Sequence, residues 1–160
     1  MRSRRIATAM VVLTSLASLP TPAQAAASVQ IRNQWTFECL NTAYPAYANA
    51  NVRTGTCLDV GPYWILERVG QVGEIVYHRI RREGTNFCLV VRGGANNAEG
   101  VLYTCGSWID QHWTIYWDRI GYKFSNRNSG KCLTGRGDGT VVVQFTCSDY
   151  ADQFWDYRAP

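Results

Sequence analysis

The sequence has little that could hold a metal or run a hydrolytic reaction. It contains only two histidines, His78 and His112, and no Cys-x-x-Cys pair among its six cysteines. Neither histidine lies in a ligand-like cluster, so neither a metal nor any other cofactor is expected. Hydrolysis needs a serine or cysteine beside a histidine, or two carboxylates flanking one cleft, and no such arrangement is evident; no enzymatic activity is expected. A membrane span is also missing. The apolar run Ile6 to Leu19 is too short to cross ~30 Å of hydrocarbon as a helix. There is no convincing amphipathic helix in the rest of the chain.

A one-sided charge is missing too, although the raw count of 16 Lys+Arg against 12 Asp+Glu suggests one. Arg2, Arg4 and Arg5 open the chain, the apolar run follows, Pro20 and Pro22 break it, and Ala23-Gln24-Ala25 offers small residues where a signal peptidase reads. This is the layout of a secretory signal peptide over residues 1–25. Without its three arginines the 16 basic residues become 13, and the mature chain carries a formal charge of +1. Nucleic acid is therefore not an expected partner. Residues 26–160 amount to one secreted domain.

All six cysteines, Cys39, Cys57, Cys88, Cys105, Cys132 and Cys147, lie in that exported part. An even number in a small secreted domain favours disulfides, and six cysteines allow 15 pairings. Internal repetition narrows the choice. The segments Ile31 to Leu40, Ile80 to Leu89 and Phe124 to Leu133 read IRNQWTFECL, IRREGTNFCL and FSNRNSGKCL. Each sets a large apolar residue eight positions before a Cys-Leu pair, and the pairs are 49 and 44 residues apart. The second cysteines each follow a threonine: Thr56-Cys57, Thr104-Cys105 and Thr146-Cys147. Gln111-His112-Trp113 and Gln153-Phe154-Trp155 stand at one offset beyond, where the first copy holds Tyr63-Trp64-Ile65. A period of this size signals a repeat architecture, with copies over about 29–66, 67–114 and 115–157.

Each copy reads as short strands between turns. Val101 to Thr104 and Val141 to Thr146 are β-branched or aromatic runs, and Trp113, Ile115 and Trp117 alternate as a strand with one buried face would. Gly93-Gly94, Asn96-Asn97, Asn128-Ser129-Gly130 and Gly135 to Gly139 supply the turns. The expected fold is all-β, with three repeats closing on one another into a barrel.

A Cys-Leu pair, a second cysteine after a strand and then Gln-x-Trp, three times over, resembles the ricin B-type lectin repeat across roughly Val29 to Tyr157. The resemblance implies a β-trefoil with pseudo-threefold symmetry. It also implies one bridge per copy: Cys39–Cys57, Cys88–Cys105 and Cys132–Cys147. Cys57-Leu58-Asp59-Val60 looks like the family's opening motif, but that register would spoil the even spacing of the copies.

The family binds galactose-like sugars or polysaccharides such as xylan, so the resemblance implies a carbohydrate partner. A pyranose has an apolar face and a rim of hydroxyls, and its site needs an aromatic platform beside hydrogen-bonding groups. The family's pocket combines an Asp two residues after the first Cys, an aromatic two before the second, and an Asn-Gln pair. Carried over, the second copy offers Tyr103 and Asp110-Gln111, with Val90 in place of the Asp. The third offers Phe145 and Asp152-Gln153, with Thr134 in that place. The first keeps Asn41 but has Gly55 for the aromatic and Pro62-Tyr63 for the amide pair, so no working site is expected there. Asp110 and Asp152 are expected to supply the missing carboxylate from the other side of the pocket, Asp138 serving likewise in the third copy.

The same residues also have a packing interpretation. Gln111 and Gln153 would bond the backbone, Trp113 and Trp155 would fill the core, and Tyr103 and Phe145 fit either role. His112, in the free middle position of its motif, is expected to face solvent. Arg136-Gly137-Asp138 spells the adhesion tripeptide RGD, which a glycine-rich turn generates easily by chance. The expectation is a secreted, monomeric carbohydrate-binding lectin. The alternative is a degenerate β-trefoil serving as a protein-binding or inhibitory module.

Overall fold

A computed structural model describes residues 27–59 and 61–158. The expected signal peptide lies outside the described residues. Twelve strands follow in chain order, four from each copy. The first copy gives β1 (Ser28–Asn33), β2 (Cys39–Thr42), β3 (Val52–Gly55) and β4 (Trp64–Val72). The second gives β5 (Ile75–Arg82), β6 (Phe87–Val91), β7 (Gly100–Thr104) and β8 (Trp113–Asp118). The third gives β9 (Gly121–Asn126), β10 (Cys132–Thr134), β11 (Val143–Phe145) and β12 (Trp155–Arg158). Because β4 and β8 run on past their first tryptophan, the joins between copies fall in the turns after Val72 and Asp118, a few residues later than the spacing suggested.

The outer strands of each copy close a six-stranded antiparallel ring: β1 pairs β4, β4 pairs β5, β5 pairs β8, β8 pairs β9, β9 pairs β12, and β12 returns to β1. Closure leaves the ring without a free edge. The inner strands form the hairpins β2–β3, β6–β7 and β10–β11. These meet one another through the bridges Asn51–Val101, Arg53–Val141 and Glu99–Val143. The fold is a β-trefoil.

The repeat visible in the sequence is the core. Ile31, Ile80 and Phe124 are fully buried, as are Leu40, Leu89 and Leu133 after the first cysteines, and Trp64, Trp113 and Trp155. Each tryptophan donates its indole N–H to the carbonyl of its copy's leucine: Trp64 to Leu40 at 2.9 Å, Trp113 to Leu89 at 3.3 Å and Trp155 to Leu133 at 3.1 Å. This equivalence corrects the first-copy alignment. Trp64, not Ile65, is the motif tryptophan, because the loop from Cys57 is one residue shorter than in the other copies. Gly61 and Pro62 therefore occupy the places of Asp110-Gln111 and Asp152-Gln153.

Three bridges, Cys39–Cys57, Cys88–Cys105 and Cys132–Cys147, tie each hairpin to the segment that follows it. Closing loops of 18, 17 and 15 residues, each contributes on the order of 3 kcal/mol through the unfolded chain. Among the described residues no helix is long and apolar enough to cross a membrane.

Candidate functional site

In the second copy the chain leaves β7, passes Cys105 and makes a single 3-10 turn at Ile109–Gln111 before β8. Gln111 fixes that turn. It is 1 % exposed, its amide N–H donates to the Thr104 carbonyl at 2.8 Å, and its oxygen accepts the Gly106 N–H at 2.8 Å. Asp110, its neighbour, is thereby held over the hairpin facing Tyr103 and Val90. The third copy repeats this at Ala151–Gln153. Gln153 is fully buried, donates to the Thr146 carbonyl at 2.9 Å and accepts the Ser148 N–H at 2.9 Å. Both glutamines are thus committed to backbone, and they position the aspartates rather than reach into solvent.

A shallow hollow opens beside each turn. In the second copy it measures about 250 Å³ and is lined by Val90, Arg92, Tyr103, Trp108, Asp110 and Gln111. Its counterpart in the third measures about 230 Å³ and is lined by Thr134, Arg136, Phe145, Tyr150, Asp152 and Gln153. The two sets correspond residue for residue.

Each hollow has an L-shaped aromatic wall. Tyr103 meets Trp108 edge-on, with centroids 6.1 Å apart and planes at 67°, and Phe145 meets Tyr150 at 6.1 Å and 71°. Trp108 and Tyr150 are 54 % and 55 % exposed, whereas Tyr103 and Phe145 are half-buried. Trp108 packs on Gly106, where any Cβ would run into its ring. A guanidinium lies over one face of the inner ring: Arg92 is 4.6 Å from the Tyr103 centroid and Arg136 5.9 Å from that of Phe145.

Trp108, Tyr150, Arg92 and Arg136 escaped the motif-based reading. Their signal was present in the repeat itself: an exposed aromatic three residues after the second cysteine and an arginine four after the first, in both copies.

The carboxylates complete the sites. Asp110 Oδ1 and Asp152 Oδ1 are both shielded from solvent, and among the described residues neither has a hydrogen-bond partner. A buried acceptor without a donor carries a desolvation cost. Burial pushes the Asp152 carboxyl above its ordinary pKa, outweighing the opposing effects of Arg136 and of its own backbone N–H. The arginine of the RGD tripeptide, Arg136, lines this pocket and also donates to Asn97 Oδ1 at 2.7 Å. Asp138 does not line the hollow.

Among the described residues the first copy has no such arrangement. Gly55 occupies the platform position, and the Asn41 amide lies close against it, 3.2 Å from where a Cβ would stand. Gly61 supplies no carboxylate and Pro62 no amide. The loop is held instead by Gln30, whose amide donates to the Leu58 carbonyl at 2.5 Å, and by Arg82, which donates to the Tyr63 carbonyl at 3.3 Å. A broader hollow of about 490 Å³ lies nearby, lined by Asn41, Tyr47, Asn49, Asn51 and Arg53 among others, with no carboxylate in its wall.

His112 is another departure from the sequence expectation. It is 7 % exposed, because Arg127 folds over it, its backbone N–H donating to the His112 carbonyl at 2.8 Å and its guanidinium to Nδ1 at 3.3 Å. Burial chiefly, then the Arg127 charge, lowers its pKa below the ordinary imidazole value. Among the described residues no group of His, Cys, Asp and Glu is placed to hold a metal ion.

The model of the ricin-type β-trefoil lectin domain matches residues 76–160, which span the second and third copies. The chain belongs to this family. Solved β-trefoils share its fold at low identity. The designed threefold-symmetric protein ThreeFoil superposes with a TM-score of 0.74 at 20 % identity, covering 83 % of this chain and 99 % of that one. The agglutinin of Rhizoctonia solani gives 0.71 at 15 %, covering 91 % and 100 %. The Polyporus squamosus lectin, solved with Neu5Acα2-6Galβ1-4GlcNAc, gives 0.69 at 16 %, covering 84 % of this chain and 49 % of that lectin. No curated protein matches the sequence. The copy outside the family match is also the copy without a ring-and-carboxylate pocket.

Proposed function

We propose that the chain is a secreted carbohydrate-binding lectin domain with two working sites, in its second and third copies, for galactose-like sugars or a plant or microbial polysaccharide. One observation carries the reading: both copies set an aromatic corner and an aspartate in the wall of one shallow hollow. A sugar ring stacks its C–H face on Tyr103 or Phe145 and donates hydroxyls to Asp110 or Asp152. Arg92 and Arg136 stand at the rim as donors to ring or hydroxyl oxygens. The aspartates thus do from the 3-10 turn what the family's Asp does from the hairpin, where this chain has Val90 and Thr134. Lectin neighbours such as the two fungal proteins support the reading, and the domain's role is binding rather than catalysis.

Shallow sites bury little area and bind one ring weakly, so retention on a polymer rests on two sites engaging one chain. A glycan array probed with residues 26–160, followed by titration of the best series as monosaccharide and as oligomer, tests this. Oligomers should bind far more tightly than the monosaccharide. The substitution of Val90 and Thr134 for the family's Asp favours a second reading, a protein-binding or inhibitory module. A blank array would decide for it.

A further inference from the structure

The two pockets differ at one rim, where the turn of a neighbouring copy docks against them. Asn33, fully buried at the end of β1, donates its side-chain N–H to the Asp152 carbonyl at 2.8 Å, and its Oδ1 accepts the Trp35 N–H at 3.1 Å. Asn126, fully buried at the end of β9, does the same for the second pocket. It donates to the Asp110 carbonyl at 2.8 Å and accepts the Asn128 N–H at 3.0 Å. Each asparagine thus fastens a turn to the segment that bears the site's aspartate. The same scaffold sets the side chain two residues beyond it in both places: one lines a hollow beside Tyr150 and Asp152, the other reaches Gly93, next to Arg92. That side chain is Trp35 at the third-copy pocket and Asn128 at the second.

The consequence is a second hollow beside the third pocket. It measures about 190 Å³, is lined by Trp35, Tyr150, Ala151 and Asp152, and has a mostly apolar wall. Tyr150 and Asp152 line both hollows, so the two adjoin at the Tyr150 ring. Trp35 is 58 % exposed, a large ring left in water with its backbone pinned. At the second pocket the corresponding places hold Asn128, whose amide turns to the Gly93 carbonyl at 3.4 Å, and the bulkier Ile109 in place of Ala151.

We infer that the third-copy site has a second subsite, in which Trp35 stacks on the next sugar ring of an oligosaccharide whose first ring occupies the pocket of Phe145 and Asp152. The third copy therefore reads at least a disaccharide, while the second reads a single residue. This rests on the proposed sugar-binding function of the same site.

The test uses residues 26–160 carrying Asp110→Ala, which silences the second pocket. Calorimetric titrations with xylose, xylobiose and xylotriose, and with galactose and β-linked galactobiose, are compared before and after Trp35→Ala and Trp35→Phe. In the parent, one series should gain roughly tenfold in affinity from mono- to disaccharide, the scale of one added ring-on-aromatic stack. Trp35→Ala should remove that gain and leave monosaccharide affinity alone, while Trp35→Phe keeps part of it. In NMR spectra of the parent, the indole N–H resonance lost on Trp35→Phe should shift with disaccharide and stay fixed with monosaccharide. If sugars bind but the gain survives Trp35→Ala, the subsite is overturned and the lectin reading stands. If no sugar binds the unmodified domain at all, both fall together.

Discussion

The second and third copies differ from the first in chemistry more than in architecture. All three bury the same apolar triad and the same tryptophan-to-leucine hydrogen bond, and each closes its own disulfide. What separates them is the segment between the second cysteine and the motif tryptophan. In two copies a buried glutamine holds a 3-10 turn that lifts an aspartate toward an aromatic corner. In the first, one residue is missing from that segment, Pro62 replaces the glutamine, and Gln30 and Arg82 reach in from neighbouring strands to hold the loop. The barrel forms in a copy without the pocket because the groups that stabilise it are not the groups that line the hollows.

The largest effects should confirm that the copies are alike in their cores. Trp64→Ala, Trp113→Ala and Trp155→Ala should each cost about 3–5 kcal/mol, as truncation of a large buried aromatic does. Denaturant melts of the three variants check this. A much smaller loss at Trp64 would mean that the first copy is decayed in its core as well as its site.

Ring removal should divide the copies instead. Tyr103→Ala and Phe145→Ala should each weaken oligosaccharide binding about tenfold or more, the scale of a lost stacking interaction, with little change in melting temperature. Asn41→Ala in the first copy should leave binding unchanged. Losses of stability as large as those at the tryptophans would place Tyr103 and Phe145 in the core and favour the protein-binding reading.

Much of this was legible in the chain. The repeat of Ile31, Ile80 and Phe124 ahead of each Cys-Leu pair gave the copies, and β strands form where β-branched and aromatic runs stand between turn residues. The first-copy alignment was not legible, since a one-residue deletion is invisible until Trp64 is seen bonding Leu40. The burial of His112 was hidden for a different reason. A position free in its motif is still covered by whatever packs on it, here Arg127 from the next copy. Trp108 and Tyr150 were legible but unread, because a family motif directs attention to its own positions. The roles of Gln111 and Gln153 could be decided only by where their amide atoms point.

Titration offers finer discrimination. The Asp152 carboxyl takes up its proton at higher pH than an ordinary carboxylate. In the proposed site its ionised form accepts sugar hydroxyls, so binding by the third copy alone, in an Asp110→Ala background, should begin to fall above the usual carboxylate range as the solution is acidified. Binding unchanged down through that range would remove Asp152 from the site. A still smaller effect concerns His112, whose folded pKa is lowered. Its contribution to stability is present above the unfolded imidazole value and is lost as the pH falls from there through the folded one. His112→Phe, which copies Phe154 of the third repeat, should flatten that part of the stability–pH profile.

The most direct test is retention of Asp110→Ala/Asp152→Ala on an immobilised polysaccharide that holds the unmodified domain. Oδ1 of each carboxylate is buried without a partner among the described residues, so the double variant should melt at or above the parent's temperature. The account predicts that it passes through the column unretained, although its first copy is intact. Retention equal to the parent's, in a protein that is still folded, would contradict the assignment of binding to the second and third copies.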